Sequence, residues 1–337
     1  MAVTTTAKMT TNASLDVQYG GNTKSGWLEY LPESWLPFVQ LARLSPPAGL
    51  FLIFFPHLFG ILHATIHTGL TATDVLRASA LMFGGSLFVS NAIHIWNDLI
   101  DAPLDAKVER TRHRPIPRGA VSPTAALVFT ISQAVGAALF LPLMPTGFIR
   151  TTLYSIPGIV GWTYYPWAKR YTYYPQVVLG FCLSWGIVMG SLAGGFVPFT
   201  TDGLWIFVDP SSFCLFAACT LWAIVYDTIY AHQDLSDDKK AGIKSLAVLY
   251  EGRTKPLLWQ LLMAMTALLI ICGSLSGMSI IFYSVAVLGS ATSLGAMVWN
   301  VDLKDSRSCW FWFSNGFWLA GGSIAAGLIM EILNVGV

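Results

Sequence analysis

Nine stretches of this 337-residue chain, at roughly 46–66, 75–96, 123–143, 148–167, 175–197, 212–231, 257–277, 279–298 and 310–331, are each about 20 residues long and mostly apolar. That is the length a helix needs to cross the hydrocarbon core of a bilayer. A segment in lipid must satisfy its own backbone hydrogen bonds, and a helix is how one segment does so alone. The expected fold class is therefore all-α: a polytopic membrane protein of about nine transmembrane helices. Composition agrees, with 11% charged residues against about 25% in a typical soluble domain, and a mean hydropathy of +0.59.

Lys and Arg are unevenly distributed along this pattern. Seventeen of the nineteen lie in the N-terminal segment or in the loops after the second, fourth, sixth and eighth helices, leaving Arg77 and Arg150 for the other side. By the positive-inside rule the N-terminus and the even-helix loops face the cytosol. A net charge of +1 excludes the basic stripe that a nucleic-acid binder needs. The five cysteines, Cys182, Cys214, Cys219, Cys272 and Cys309, sit in apolar stretches without metal or disulfide spacing and read as small core residues. Residues 1–35, rich in Thr, Ser and Asn, are expected to be a disordered cytosolic segment, and 36–337 a single transmembrane domain. The sequon at Asn12-Ala13-Ser14 falls on the cytosolic side, where glycosylation is not expected.

Two loops on that side are acidic as well as basic, which topology alone does not require. The first runs from Asn97 and Asp98 through Asp101 and Asp105 to Lys107, Arg110 and Arg114; the second holds Asp227, Asp234 and Asp238 ahead of Lys239 and Lys240. Both start at the cytosolic end of an even-numbered helix, four helices apart, so two four-helix halves plus a ninth helix are expected. Positions four apart on a helix share a face. Asn97, Asp101 and Asp105 then stack along one face, and Asp227, Asp234 and Asp238 along another. Stacked carboxylates repel unless a cation lies between them, and Mg²⁺ fits, being a hard ion of oxygen ligands usually completed by phosphate. Pro103 removes a helical hydrogen bond to Leu99 and predicts a kink or helix end there. Carboxylates for metal beside Lys and Arg for phosphate describe a site for a diphosphate ester.

At these residues the chain resembles the UbiA family of membrane-embedded prenyltransferases. The family pattern NDxxDxxxD is met by Asn97, Asp98, Asp101 and Asp105, and DxxxD by Asp234 and Asp238 within YDTIYAHQDLSDDKKAGIKS, residues 226–245. DAKVERTRHRPIPRG (105–119), KRYTYYPQVVLG (169–180) and, more loosely, Arg43-Leu44-Ser45-Pro46 add to the likeness, which covers roughly residues 40–330. The 226–245 run is similar both to 4-hydroxybenzoate polyprenyltransferases and to fungal farnesyl-type transferases of meroterpenoid pathways. Bacterial enzymes of the former branch tend to carry a basic residue where this chain has Ala102. That departure, and the lack of an Arg-rich presequence, favour the meroterpenoid branch in the endoplasmic reticulum or a related endomembrane over a mitochondrial ubiquinone enzyme.

The resemblance implies transfer of an isoprenyl group, farnesyl in the first instance, from an allylic diphosphate to a ring carbon of a phenolic acceptor. It implies Mg²⁺ ligation by Asn97, Asp98, Asp101, Asp105, Asp227, Asp234 and Asp238, with Asp101, Asp105, Asp234 and Asp238 catalytic. Arg43, Lys107, Arg110 and Arg114 are expected to bind diphosphate, and Lys169 and Arg170 substrate, Arg170 gripping an acceptor carboxylate. The lipid bilayer is the remaining partner. A secondary transporter of a phosphorylated metabolite is the rival reading, but it would place its charges at the bilayer midplane. The aromatic run 162–174 is expected chiefly as an interfacial belt. His94 and His232 are expected to support the acidic clusters, whereas His63 and His67, four apart on the non-cytosolic side, read as structural.

Overall fold

The computed structural model describes residues 26–45, 47–202 and 205–336. Residues 1–25, with the sequon and most of the expected disordered segment, lie outside them, as does Pro46. Residues 26–35 form two short 3-10 turns, Gly26–Tyr30 and Glu33–Trp35, with Leu28 buried.

Nine long helices follow: α1 Ala48–Thr68, α2 Ala72–Asp105, α3 Pro123–Ala138, α4 Phe148–Tyr171, α5 Pro175–Ala193, α6 Pro210–Ala231, α7 Thr254–Leu275, α8 Ile280–Asn300 and α9 Ser306–Val335. Their boundaries follow local chemistry. Thr71, Ser122, Asp209, Ser279 and Asp305 each accept a backbone N–H at the start of a helix. Pro123, Pro175 and Pro210 occupy a first turn, where a missing N–H costs nothing. Eight of the nine are long and apolar enough to span a membrane. The ninth expected span, 148–167, is a 24-residue helix that Arg150, Thr151, Thr152 and its tyrosines leave less apolar than the rest. Helix α2 ends at Asp105, two residues past Pro103, so the expected helix end is present.

The helices close into a ring: α1 packs on α2, α2 on α3 and α4, α4 on α5, and so on to α9, which returns to α1. Helices α1 and α5 pack together at the centre. A Cβ at Gly60 would stand 2.1 Å from the Ile187 carbonyl oxygen, and one at Gly190 2.0 Å from that of His57, so both glycines are needed for this approach. The main core gathers Phe59, Trp222, Tyr226, Phe282 and Phe317 between the helices. Between α5 and α6, β1 (Phe199–Asp202) and β2 (Trp205–Val208) pair antiparallel, Phe199 opposite Val208.

The end of the bundle opposite this hairpin positions the acidic residues. A small cluster of Leu41, Ile95, Ile116, Val121 and Ala126 pins the loop after α2 against a short helix, Leu36–Leu41. After α6 the chain does not continue as one helix: a 3-10 turn, His232–Asp234, leads into a short helix, Leu235–Ala241. Asp227, Asp234 and Asp238 therefore sit on three different elements instead of one helix face, which corrects the expected stacking.

Candidate active site

A cavity of about 270 Å³ opens at the end of the bundle that carries the acidic loops. Its rim holds Asn97 and Asp105 from α2, Asp227 from α6, Asp234 and Asp238 from the following turns, and the cations Arg43, Arg110, Arg114 and Lys169. Below them the wall is apolar and aromatic, including Leu52, Ile93, Trp162, Leu183, Tyr226 and Phe313. Nine of the thirteen residues expected in the site thus face one space, drawn from elements up to about 195 residues apart in sequence.

Arg110 joins the two acidic clusters. Its Nε donates to both carboxylate oxygens of Asp234, at 2.6 and 2.9 Å, its Nη2 donates to Asp234 Oδ2, and its Nη1 donates to Tyr230 Oη at 3.0 Å. Arg114 does the corresponding work on the first cluster: one nitrogen donates to Asp98 (3.0 Å) and to Asp105 (2.8 Å). Burial alone would work against both guanidinium charges. Asp105 and Asp98 beside Arg114, and Asp234 beside Arg110, outweigh it and hold both pKa values above the ordinary arginine value.

Arg43 donates to the same Asp98 oxygen at 3.1 Å. It does so from a left-handed backbone, φ 51°, at the end of the Leu36–Leu41 helix, where Leu44 N–H donates to the Val39 carbonyl in a Schellman closure. Glycine is the usual residue at that position, so the Arg43 side chain is kept at a backbone cost.

Four expected residues are placed elsewhere. Asp98, 2% exposed, and Asp101, 0% exposed, do not line the cavity. The first is held by Arg43 and Arg114, the second by Lys169, whose Nζ donates to Asp101 Oδ2 at 2.5 Å. These two carboxylates orient cations. Lys107 is exposed and outside the cavity, because the chain turns away once α2 ends at Asp105. Arg170 also misses it: its Nη2 donates to the Ile100 carbonyl at 2.6 Å and lies 3.8 Å from Asp101. The acidic neighbour that the local sequence lacks is Asp101, brought to Arg170 by the packing of α2 beside α4.

Ala102 packs with the Leu41–Ile116 cluster and does not line the cavity.

Several lining residues were not singled out from the sequence. Tyr230 lies three residues after Asp227 and four before Asp234, a spacing that places it between them. Gln176, 3% exposed, lines the cavity from the first turn of α5 and accepts the Leu246 backbone N–H at 3.0 Å. His94, which was expected beside the acidic clusters, lines the cavity; its Nδ1 donates to the Ser90 carbonyl at 2.7 Å, which leaves Nε2 as the acceptor nitrogen. His232 bonds Thr254 at 3.0 Å instead and ties α6 to α7. In the aromatic run, Trp162 and Tyr165 face the cavity while Tyr164, Tyr171, Tyr173 and Tyr174 are exposed, as a belt would be.

Oxygen donors suited to a hard divalent cation remain available on the rim. Asn97 Oδ1 is buried without a hydrogen-bond partner, and among the described residues neither Asp227 nor Asp238 makes an ion pair. An unpartnered buried acceptor beside unpaired carboxylates fits a Mg²⁺ ion. The charges gather at one end of the bundle, not at mid-depth, which is unlike the arrangement expected of a transporter.

Comparison with known proteins agrees with this geometry. The model of the UbiA prenyltransferase family matches residues 53–321. The mitochondrial 4-hydroxybenzoate polyprenyltransferase of Schizosaccharomyces pombe is 35% identical over 309 residues, 90% of this chain and 83% of that protein. The UbiA prenyltransferase claS of Ampulloclitocybe clavipes is 34% identical over 307 residues, 88% of this chain and 90% of that protein. Among solved structures, a UbiA homologue from Archaeoglobus fulgidus bound to GPP and Mg²⁺ superposes with a TM-score of 0.61 at 15% identity, covering 88% of this chain and 99% of that one.

Proposed function

The chain belongs to the UbiA prenyltransferase family and is a multi-pass membrane enzyme of prenyl transfer, and on that premise we propose that it joins an isoprenyl group, farnesyl in the first instance, to a ring carbon of a polyketide-derived phenol in meroterpenoid assembly. The observation that carries this reading is the rim of carboxylates and arginines set directly above an aromatic, apolar wall.

In the reaction, the allylic C–O bond breaks and diphosphate leaves with the electron pair. The electron-rich ring carbon adds to the allylic carbon, and the ring then loses its proton to restore aromaticity. Arg43, Arg110, Arg114 and Lys169 supply charge-assisted hydrogen bonds to the departing diphosphate. Asn97, Asp105, Asp227, Asp234 and Asp238 would hold Mg²⁺, which would supply Lewis-acid neutralisation of the leaving group's charge. Asp98 and Asp101 act as positioning residues that aim Arg43, Arg114 and Lys169 into the cavity. Trp162, Tyr165 and Tyr226 present ring faces or edges along the apolar wall, where they exclude the water that would capture a cation. No protein nucleophile is required.

A second reading, prenylation of 4-hydroxybenzoate in a mitochondrial membrane, is favoured by the identity to the S. pombe protein. The cytosolic orientation proposed for the acidic end rests on the loop charges. Incubating membranes that contain the protein with a panel of isoprenyl diphosphates and aromatic acids, read by mass spectrometry, separates the two readings. A product with a polyketide-derived acid and none with 4-hydroxybenzoate supports the first. The reverse selects the second, and absence of any product with all donors removes both. Fractionation of the tagged full-length chain decides the membrane.

A further inference from the structure

At the end of the bundle opposite the acidic cavity, we propose that His63, His67 and Asp209 form a binding site for a first-row transition-metal ion, zinc in the first instance. The two histidines lie four apart on the last turns of α1, and Asp209 caps the start of α6. One ligand atom from each lies within 4.8 Å of the others. The two imidazoles meet nitrogen to nitrogen, Nε2 to Nε2, at 3.4 Å. Two nitrogens bound to one tetrahedral zinc at about 2.0–2.1 Å are themselves separated by about 3.3–3.4 Å, so this spacing is already that of a chelating pair.

The surroundings fix the ring positions. His63 is fully buried, and its Nε2 is 3.2 Å from Ser276 Oγ. His67 lies flat on Phe196, centroids 4.9 Å apart and planes 12° apart, with Ser211 Oγ 3.3 Å from its Nε2. Asp209 uses Oδ2 to accept from Ser211 Oγ (2.6 Å) and the Ser212 N–H (2.7 Å), and Oδ1 is engaged by neither. Two imidazoles and a carboxylate suit zinc or its neighbours, whereas Mg²⁺ prefers the all-oxygen rim at the other end. The ion would clip α1 to α6 far from the transferring chemistry, and its fourth position falls to water or a serine hydroxyl. The assignment does not depend on which aromatic acceptor the enzyme uses.

Cobalt provides the test. The full-length protein, purified in detergent and stripped by chelator, is titrated with Co²⁺ in the presence of excess Mg²⁺, which occupies oxygen-rich sites. The expected result is one equivalent of Co²⁺ with the intense visible absorption of four-coordinate ligation, displaced by one equivalent of Zn²⁺, together with a Zn²⁺-dependent rise in Tm. His67 is exposed, so His67→Ala spares the fold and is expected to weaken binding by about tenfold or more; Asp209→Asn, which retains the cap, is expected to do the same. Asp238→Asn, at the other end and outside any ion pair among the described residues, is expected to leave the spectrum unchanged. Absence of the absorption, equal binding by His67→Ala and the parent, or its loss in an Asp238→Asn protein of parent Tm would each overturn the site.

Discussion

Arg110 and Asp234 are bonded across the cavity, from loops that follow different halves of the bundle, through two hydrogen bonds from Nε alone at 2.6 and 2.9 Å. Both side chains are nearly enclosed, at 8% and 13% exposure. Removing one partner of such a pair strands the other charge, at a typical cost of about 3–5 kcal/mol. Arg110→Ala is expected to lower the Tm clearly and to abolish turnover. Arg110→Lys is expected to recover folding in part and turnover poorly, because an ammonium cannot reach both carboxylate oxygens and Tyr230 together. Thermal unfolding and product formation on the same preparations check both.

Among the acidic residues, the paired and unpaired members are expected to separate on mutation. Asp227→Asn and Asp238→Asn remove no ion pair, so they should lose turnover while keeping the parent Tm. Asp98→Asn releases the buried Arg114 and half-buried Arg43, and Asp101→Asn the half-buried Lys169, so these should lose both, Asp98→Asn more of the Tm. A normal rate in both Asp227→Asn and Asp238→Asn would remove the metal role from the second cluster.

Chelation addresses the ion itself. Turnover is expected to vanish in EDTA and return with added Mg²⁺. Full activity in chelator would leave Arg43, Arg110, Arg114 and Lys169 as the entire counter-charge to the diphosphate.

Arg43→Gly separates backbone from side chain. Glycine relieves the left-handed conformation, worth of order 1 kcal/mol, but removes the contact to Asp98. The expected outcome is a Tm near the parent value with a raised KM for the isoprenyl diphosphate. Unchanged kinetics would show that Arg43 only balances Asp98.

Arg170→Ala is expected to reduce use of acidic and neutral acceptors alike, since its guanidinium binds the Ile100 carbonyl and lies against Asp101. A selective loss with carboxylate acceptors would return Arg170 to the acceptor site. Lys169→Ala, by contrast, changes a cation that lines the cavity and should cost more.

The span positions and the two acidic clusters are legible in the sequence because apolar length and periodic charge are local properties. What the sequence does not carry is which cation meets which carboxylate. Lys169 and Arg170 are neighbours, yet one reaches the cavity and the other a backbone carbonyl, and the difference depends on how α4 rotates against α2. The break after Ala231 was likewise hidden, since a 3-10 turn keeps nearly the same residue spacing as a helix while rotating Asp234 and Asp238 to new directions. Gln176 went unplaced because a single polar residue in an apolar helix looks alike whether it lines a cavity or bonds its own backbone.

The seam between α1 and α5 bears on how such a protein can diversify. At Gly60 and Gly190 even a methyl group would collide with backbone, and backbone has no rotamer to yield with. The distance between these two helices is therefore not adjustable by small steps, although each also contributes to the cavity wall through Leu52 and Leu183. Descendants that take bulkier or smaller substrates have to find their room in side chains such as Ile93, Trp162 or Phe313, around a spacing that stays constant.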